Sequence, residues 1–482
     1  MKYNERRIWS AKVDVLVVLF LLLIVTACSK SNVAQPTSPD PHKAIARSLS
    51  IVGIANPENP KVLRVLFYGQ SISSTHWTDQ AINNLRAAYP NVTFDSRNLA
   101  LGGFDSGKLE RTTERDIAEF YPDLIVFHVY GDHRAYERII RLFRSKTSAD
   151  IVVQTDHVTA TPEPVCDEGL QLRWSPPPGC TGHIWFKQRN WEDFMSGVWL
   201  PTLATRYGLA VEPRRERWDA YLQMRGMKPA ELLVDMPHPN EQGWTLMADL
   251  FTRWFKALVA SSNDNAPPER GVMSFAAPIS GSTTSYQFEG NRIELISNGP
   301  LNGKVTVTID GKRPQNLDGC WLDSRVSRLP NVPDWPALSQ VKVDPSYHKA
   351  DTWTLHVTNL NDKQTAFDFT LSSASAGYDG SGKADEPFSS ISGLVNIEPI
   401  DWTIAYAASV SSKRLPEGYT MSWTRSFVCS DQEAVVLTNG SREQRYLIAT
   451  GLPNVRHNVK IRIENDASII KEVRTYMPQL LN

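Results

Sequence analysis

The chain has 482 residues and carries 51 Lys and Arg against 52 Asp and Glu. So even a balance argues against a general nucleic-acid binder, which needs a basic stripe to neutralise phosphates. At 41% hydrophobic and 21% charged, it is too apolar for a disordered protein and long enough for two or three domains that each bury a core. The 14 Trp suit a protein that stacks on flat sugar rings, although most rings in any protein serve as core.

The first residues are expected to lie outside the fold. Lys2, Arg6, Arg7 and Lys12 make a basic start, and Val15 to Ala27 is a run of 13 apolar or small residues. Such a run is too short to span a hydrocarbon core and fits the core of a signal peptide. It ends in Val25-Thr26-Ala27-Cys28, which resembles a bacterial lipobox. The resemblance implies a lipoprotein signal over residues 1–28 and a lipidated Cys28. Ser29 in place of a retention Asp implies the outer membrane of a Gram-negative envelope. Residues 29–60, polar and Pro-containing from Ser31 to Pro41, read as a tether. Membrane contact is expected through this anchor alone.

Setting Cys28 aside leaves Cys166, Cys180, Cys320 and Cys429, an even number in an oxidising compartment. Cys166 and Cys180 flank a Pro-rich stretch and suit a local staple, which would leave Cys320 and Cys429 to pair. Three connectivities remain open. No zinc-type spacing is present, and no metal site is expected.

From 61 to 260, apolar strands alternate with helical stretches. Val62 to Tyr68, Leu124 to Val129 and Ile151 to Gln154 read as buried strands. Trp77 to Tyr89, Arg134 to Arg144 and Trp191 to Tyr207 read as helices. Trp244, Met247, Phe251, Trp254, Phe255 and Leu258 share one face of a last helix. The alternation predicts a doubly wound α/β parallel sheet. Ser261 to Arg270 reads as a linker. From 271 to 482 the period is two, as in Val305-Val307-Ile309 before the Asp310-Gly311 turn, in Trp353-Leu355-Val357 and in Val459-Ile461-Ile463. This half is expected to be an all-β sandwich, with Gly-rich Ser375 to Asp385 as a possible internal boundary.

Four segments of the first half carry chemistry. Tyr68-Gly69-Gln70-Ser71 follows the first strand, where a tight turn projects a hydroxyl at the carboxyl edge of the sheet. Asp235-Met236-Pro237-His238 places a carboxylate and an imidazole three residues apart, able to pair and to take a serine proton. Asn98 to Ser106 contains Gly102-Gly103, where a backbone N–H could approach a substrate oxygen. Tyr130-Gly131-Asp132-His133 ends the second strand. In this order the segments resemble the SGNH/GDSL family of esterases and lipases, with a flavodoxin-like sheet.

The resemblance implies Ser71 as nucleophile, His238 as general base, Asp235 as its orienter, and the Ser71 and Gly103 amides as oxyanion donors. It implies no cofactor. Gln70 stands where the family has Asp, at a position without a catalytic role. His133 stands where the family has the Asn that donates to the oxyanion, and an imidazole N–H could replace it. In an alternative register Asp132 occupies that place and would repel an oxyanion. Asp156 and His157, also at the carboxyl edge, are candidates for lining the substrate site. So is Trp185, in the insertion from Thr159 to Arg189.

Phe288 to Leu295, Lys304 to Lys312 and Gly451 to Val459 resemble the jelly-roll modules attached to carbohydrate esterases. Together the resemblances imply an envelope esterase acting on an ester, chiefly O-acetyl groups of a glycan, through an acyl-Ser71 intermediate. Activity should rise with pH as His238 loses its proton. Two alternatives stand beside it: a polysaccharide O-acetyltransferase, and a non-catalytic carbohydrate-binding lipoprotein with a degenerate site.

Overall fold

The structure, a computed structural model, describes residues 38–160, 192–262, 271–301, 304–332, 334–411, 414–431, 443–464 and 469–479. Cys28, Cys166, Cys180 and Trp185 lie outside the described residues.

After two short helices, α1 (Pro41–Ala44) and α2 (Ala46–Gly53), strands and helices alternate. They are β1 (Lys61–Gly69), α3 (Trp77–Ala88), β2 (Val92–Asn98), α4 (Ser106–Phe120), β3 (Leu124–His128), α5 (His133–Lys146) and β4 (Asp150–Gln154). Then follow α6 (Leu200–Tyr207), β5 (Ala210–Glu212), α7 (Arg214–Arg225) and α8 (Glu241–Ser261). The five strands form one parallel sheet in the order β2-β1-β3-β4-β5. The fold is α/β and doubly wound. Along β1, Leu63, Val65 and Phe67 face the α3 and α8 side, while Leu66 and Tyr68 face the α4 and α5 side. Both faces are dry, which is why β1 reads as an almost continuous apolar run.

Caps set where three of these helices begin. Asp105 accepts from the Lys108 amide (2.9 Å), Asp132 from Ala135 (2.8 Å) and Asn240 from Gly243 (3.0 Å). Each side chain satisfies an orphan helix-start donor. The starts of α4, α5 and α8 therefore fall directly behind the glycine loop, the Tyr130-Gly131-Asp132 turn and the Asp235–His238 loop.

The second half is mainly β, as two nested two-sheet units. The first combines β6 (Val272–Ala276), β7 (Thr283–Gly290), β8 (Arg292–Ser297) and β9 (Lys304–Ile309) with β18 (Gln444–Ala449), β19 (Val455–Glu464) and β20 (Ile470–Tyr476). Its sheets, β18-β8-β20-β6 and β7-β19-β9, enclose one core. The second unit interrupts it between β9 and β18. It pairs β10 (Trp321–Asp323), β17 (Thr420–Phe427), β12 (Asp351–Thr358), β13 (Asp368–Ser373) and β14 (Gly377–Lys383) in one sheet. A smaller sheet holds β11 (Lys342–Val343), β16 (Val395–Ile397) and β15 (Phe388–Ser389), and α9 (Ile404–Val410) follows. A Cys320–Cys429 disulfide closes the interruption at its base. Ser375 to Asp385 holds a turn and β14, which pairs with β13, and Gly380 and Gly382 stand where the Phe388 and Phe369 rings crowd the backbone.

The β units are joined to the parallel sheet through dry contacts. Leu66, Phe127 and Phe143 belong to the same core as Trp335, Trp353 and Trp423. At the opposite edge Asp123, at the foot of β3, accepts from Arg47 of α2 (2.5 Å), from Arg445 of β18 (3.0 Å) and from the Arg64 amide (3.0 Å). Burial alone would raise the Asp123 pKa, but the Arg445 and Arg47 charges and the Arg64 amide outweigh it and hold the carboxyl well below its ordinary value.

Candidate active site

Ser71 stands two residues past β1, in the turn that leads to α3. Gly69 makes that turn possible: its φ is +149°, and a Cβ there would sit 1.9 Å from the His128 carbonyl oxygen. The Ser71 hydroxyl lies 2.9 Å from His238 Nε2, and His238 Nδ1 lies 2.5 Å from Asp235 Oδ1. The three residues are 167 and three positions apart in sequence and meet at one point above the sheet. Serine, imidazole and carboxylate thus form a continuous relay with the spacing that general-base activation requires.

The Asp235–His238 loop is held at its base and from below. Val234 N–H donates to His238 O (2.9 Å), Asn240 N–H to Leu232 O (2.9 Å), and the Asn240 side chain to Glu231 O (2.9 Å). His157 supports the centre, with its Nε2 2.8 Å from Pro237 O. Burial, with the Arg214, His128 and Arg215 charges adding to it, keeps the His157 imidazole well below its ordinary pKa. The ring is neutral, and since a carbonyl only accepts, Nε2 carries the proton.

Asp156 and His157 therefore do not line a substrate surface. Both are buried, at 3% and 0% exposure. Asp156 pairs with His128 Nε2 at 2.8 Å, and His157 braces the Asp235–His238 loop. The sequence placed them at the right edge of the sheet, but the chain turns them inward.

His133 departs from its expected role as a third oxyanion donor. It opens α5 with its ring against Trp199 (4.6 Å) and Phe194 (5.3 Å), and its Nε2 is 3.0 Å from Met195 Sδ. Burial lowers its pKa to about 4. The imidazole fills an apolar niche instead of serving the Ser71 turn. Asp132, the alternative, caps α5 with its carboxylate, so it does not oppose an oxyanion either.

Two backbone amides remain. Among the described residues, neither the Ser71 nor the Gly103 N–H donates to another group. A Cβ placed on Gly102 would lie 3.8 Å from Ser71 Cα, so the glycine pair borders the nucleophile directly. Gln70, set aside at the sequence level, is buried and joins the segments. In the orientation that satisfies both neighbours, its amide donates to Phe104 O (3.0 Å) and accepts from Tyr130 N (3.3 Å). The Gly-x-Ser context gave no local signal for this bridge.

A cavity of about 540 Å³ lies elsewhere, between α4 and the β units, and no residue of the Ser71 cluster lines it. Its charged walls are committed to docking: Arg111 grips Asp401 with two bonds (2.9 and 2.7 Å), and Arg325 meets Asp116 at 2.5 Å.

No protein-family profile matches the chain, and no curated protein matches it. Solved structures resemble it in fold. One is a two-domain esterase active on acetylated mannans, co-crystallised with mannopentaose, at 12% identity over 93% of this chain and 97% of that one, with a TM-score of 0.33. Another is an acetylxylan esterase from Geobacillus stearothermophilus, at 17% identity over 40% of this chain and 94% of that one, with a TM-score of 0.32. A third is an α/β hydrolase from the metagenome of Lake Arreo, Spain, at 15% identity over 43% and 99%, with a TM-score of 0.31. Likeness at this level transfers no function, which has to be argued from the side chains.

Proposed function

We propose that the chain is a serine esterase. The observation that carries this reading is the Ser71–His238–Asp235 relay, with bonds of 2.9 and 2.5 Å beside two uncommitted amides. His238 Nε2 takes the Ser71 proton as Oγ bonds to the acyl carbon, and the carbonyl electrons pass to its oxygen. The resulting oxyanion meets the Ser71 and Gly103 amides. Collapse expels the alcohol, which leaves with the proton from His238, and a water deprotonated by His238 then releases the acid from Ser71. Asp235 holds the Nδ1–H tautomer and offsets the imidazolium charge.

We propose an O-acetylated glycan as the substrate class. The jelly-roll resemblance of the second half supports it. The lipobox-like Cys28 supports an envelope location, and among the described residues no helix is long and apolar enough to cross a membrane.

The test is hydrolysis of p-nitrophenyl acetate and of acetylated xylan and mannan, beside Ser71→Ala. The parent should hydrolyse the small ester and the variant should lose roughly 10⁴-fold or more in kcat. Equal rates in both would remove Ser71 as nucleophile. Turnover of the small ester with no release of acetate from any glycan would keep the esterase and remove the substrate class.

A further inference from the structure

The segment that carries the proposed oxyanion amide is held from both sides. On the sheet side, Leu99 and Leu101 donate to Phe67 O and Gly69 O of β1, at 3.0 and 2.9 Å. On the other side, its carbonyls turn into the interrupting β unit. Leu99 O accepts from Arg325 (3.0 Å), Gly102 O from the Trp335 indole N–H (2.6 Å) and Gly103 O from the Tyr406 hydroxyl (3.0 Å). Three side chains more than 220 residues away thus hold three carbonyls within five residues.

Glycine leaves its backbone free to rotate, so Gly102-Gly103 would not hold one orientation unaided. The peptide between them is planar and trans, which sets the Gly103 N–H opposite the Gly102 carbonyl. With that carbonyl bound to Trp335, the Gly103 N–H points away from the β unit and is left for another acceptor. The Trp335 and Tyr406 rings stack at 4.8 Å and 19°, Phe104 meets Trp335 edge-on at 5.1 Å, and a Cβ on Gly103 would stand 2.8 Å from Trp335. Trp335 and Gly103 fit one another with no room for a side chain.

We propose that Trp335 and Tyr406 are positioning residues for the oxyanion site, so that the β unit completes the catalytic centre. The proposal rests on the esterase reading above and deepens it.

The experiment compares the full chain with Trp335→Phe, Tyr406→Phe and the double variant; each single change keeps an aromatic ring and removes one donor, and the double removes both. kcat and KM for p-nitrophenyl acetate, the thermal midpoint, and the rate of Ser71 labelling by a phosphonate ester are measured. Losing an oxyanion donor outright costs about 10²–10³ in rate, so a donor left mis-aimed should cost roughly 10-fold or more. The expected result is that fall in kcat at unchanged KM, a parallel fall in phosphonate labelling, and a midpoint that does not account for it. Tyr406 is half-exposed, so its variant folds even if Trp335→Phe does not. An unchanged kcat in Tyr406→Phe, or a lowered midpoint with kcat intact in either variant, overturns the proposal. Those results leave the esterase reading standing if the parent turns over and is labelled at Ser71. A parent that does neither overturns both.

Discussion

At the scale of single residues, the buried imidazoles show how burial selects a role. His238 is 40% exposed and shares its two nitrogens between Ser71 and Asp235. His157, fully buried, acts as a strut through Pro237 O. Replacing His157 with Leu takes the donor from that part-buried carbonyl, a loss of about 0.5–1.5 kcal/mol. It also frees the turn that aims His238. Thermal melting should show the first effect. The second should appear as a fall in kcat larger than the melting shift accounts for, with KM held.

At the scale of elements, Ser71, His238 and Asp235 sit two, two and five positions from a strand end or a helix cap. The cap at Asn240 is both the start of α8 and the end of the Asp235–His238 loop, tied by bonds to Gly243 and Glu231. Asn240→Ala should cost about 1 kcal/mol in stability, read by denaturant midpoint. The same variant should also loosen the triad, whereas replacing the α4 cap, Asp105→Ala, should cost a similar stability and leave the His238–Ser71 contact alone. The contrast separates loop positioning from helix stability.

At the scale of the whole molecule, the α/β layer and the β units share a core and a buried ion cluster. Removing one partner from such a cluster leaves an uncompensated charge. Asp123→Asn should therefore destabilise by about 3–5 kcal/mol, measured by chemical denaturation. The pH dependence follows from the lowered Asp123 pKa. Its contribution is fully present above the unfolded value near 3.8 and is lost as pH falls through the lower folded value. The parent should lose stability with acid over that range, and Asp123→Asn should flatten that limb of the curve.

The local sequence determined a good deal of this. Alternating strand and helix patterns predict a doubly wound sheet, because a strand buried on both faces must be apolar throughout and its helices apolar on one side. The period of two after residue 271 predicts a β half for the same reason. Ser71, His238 and Asp235 were legible because each stands in a turn next to an element end. The half-exposed edge strand β2 and the three-residue β5 were not, since neither carries an apolar run long enough to stand out. Only the tertiary structure decided the rest. Whether His133, Asp156 and His157 face solvent or core depends on neighbours such as Met195, His128 and Pro237, which are distant in the chain. The nesting of one β unit inside another, and the reach of Trp335 and Tyr406 to two glycine carbonyls, have no local signature. Contacts across hundreds of residues are set by how the packed layers meet, and a hydrogen bond accepted by a bare glycine carbonyl leaves no trace in the local sequence of the acceptor.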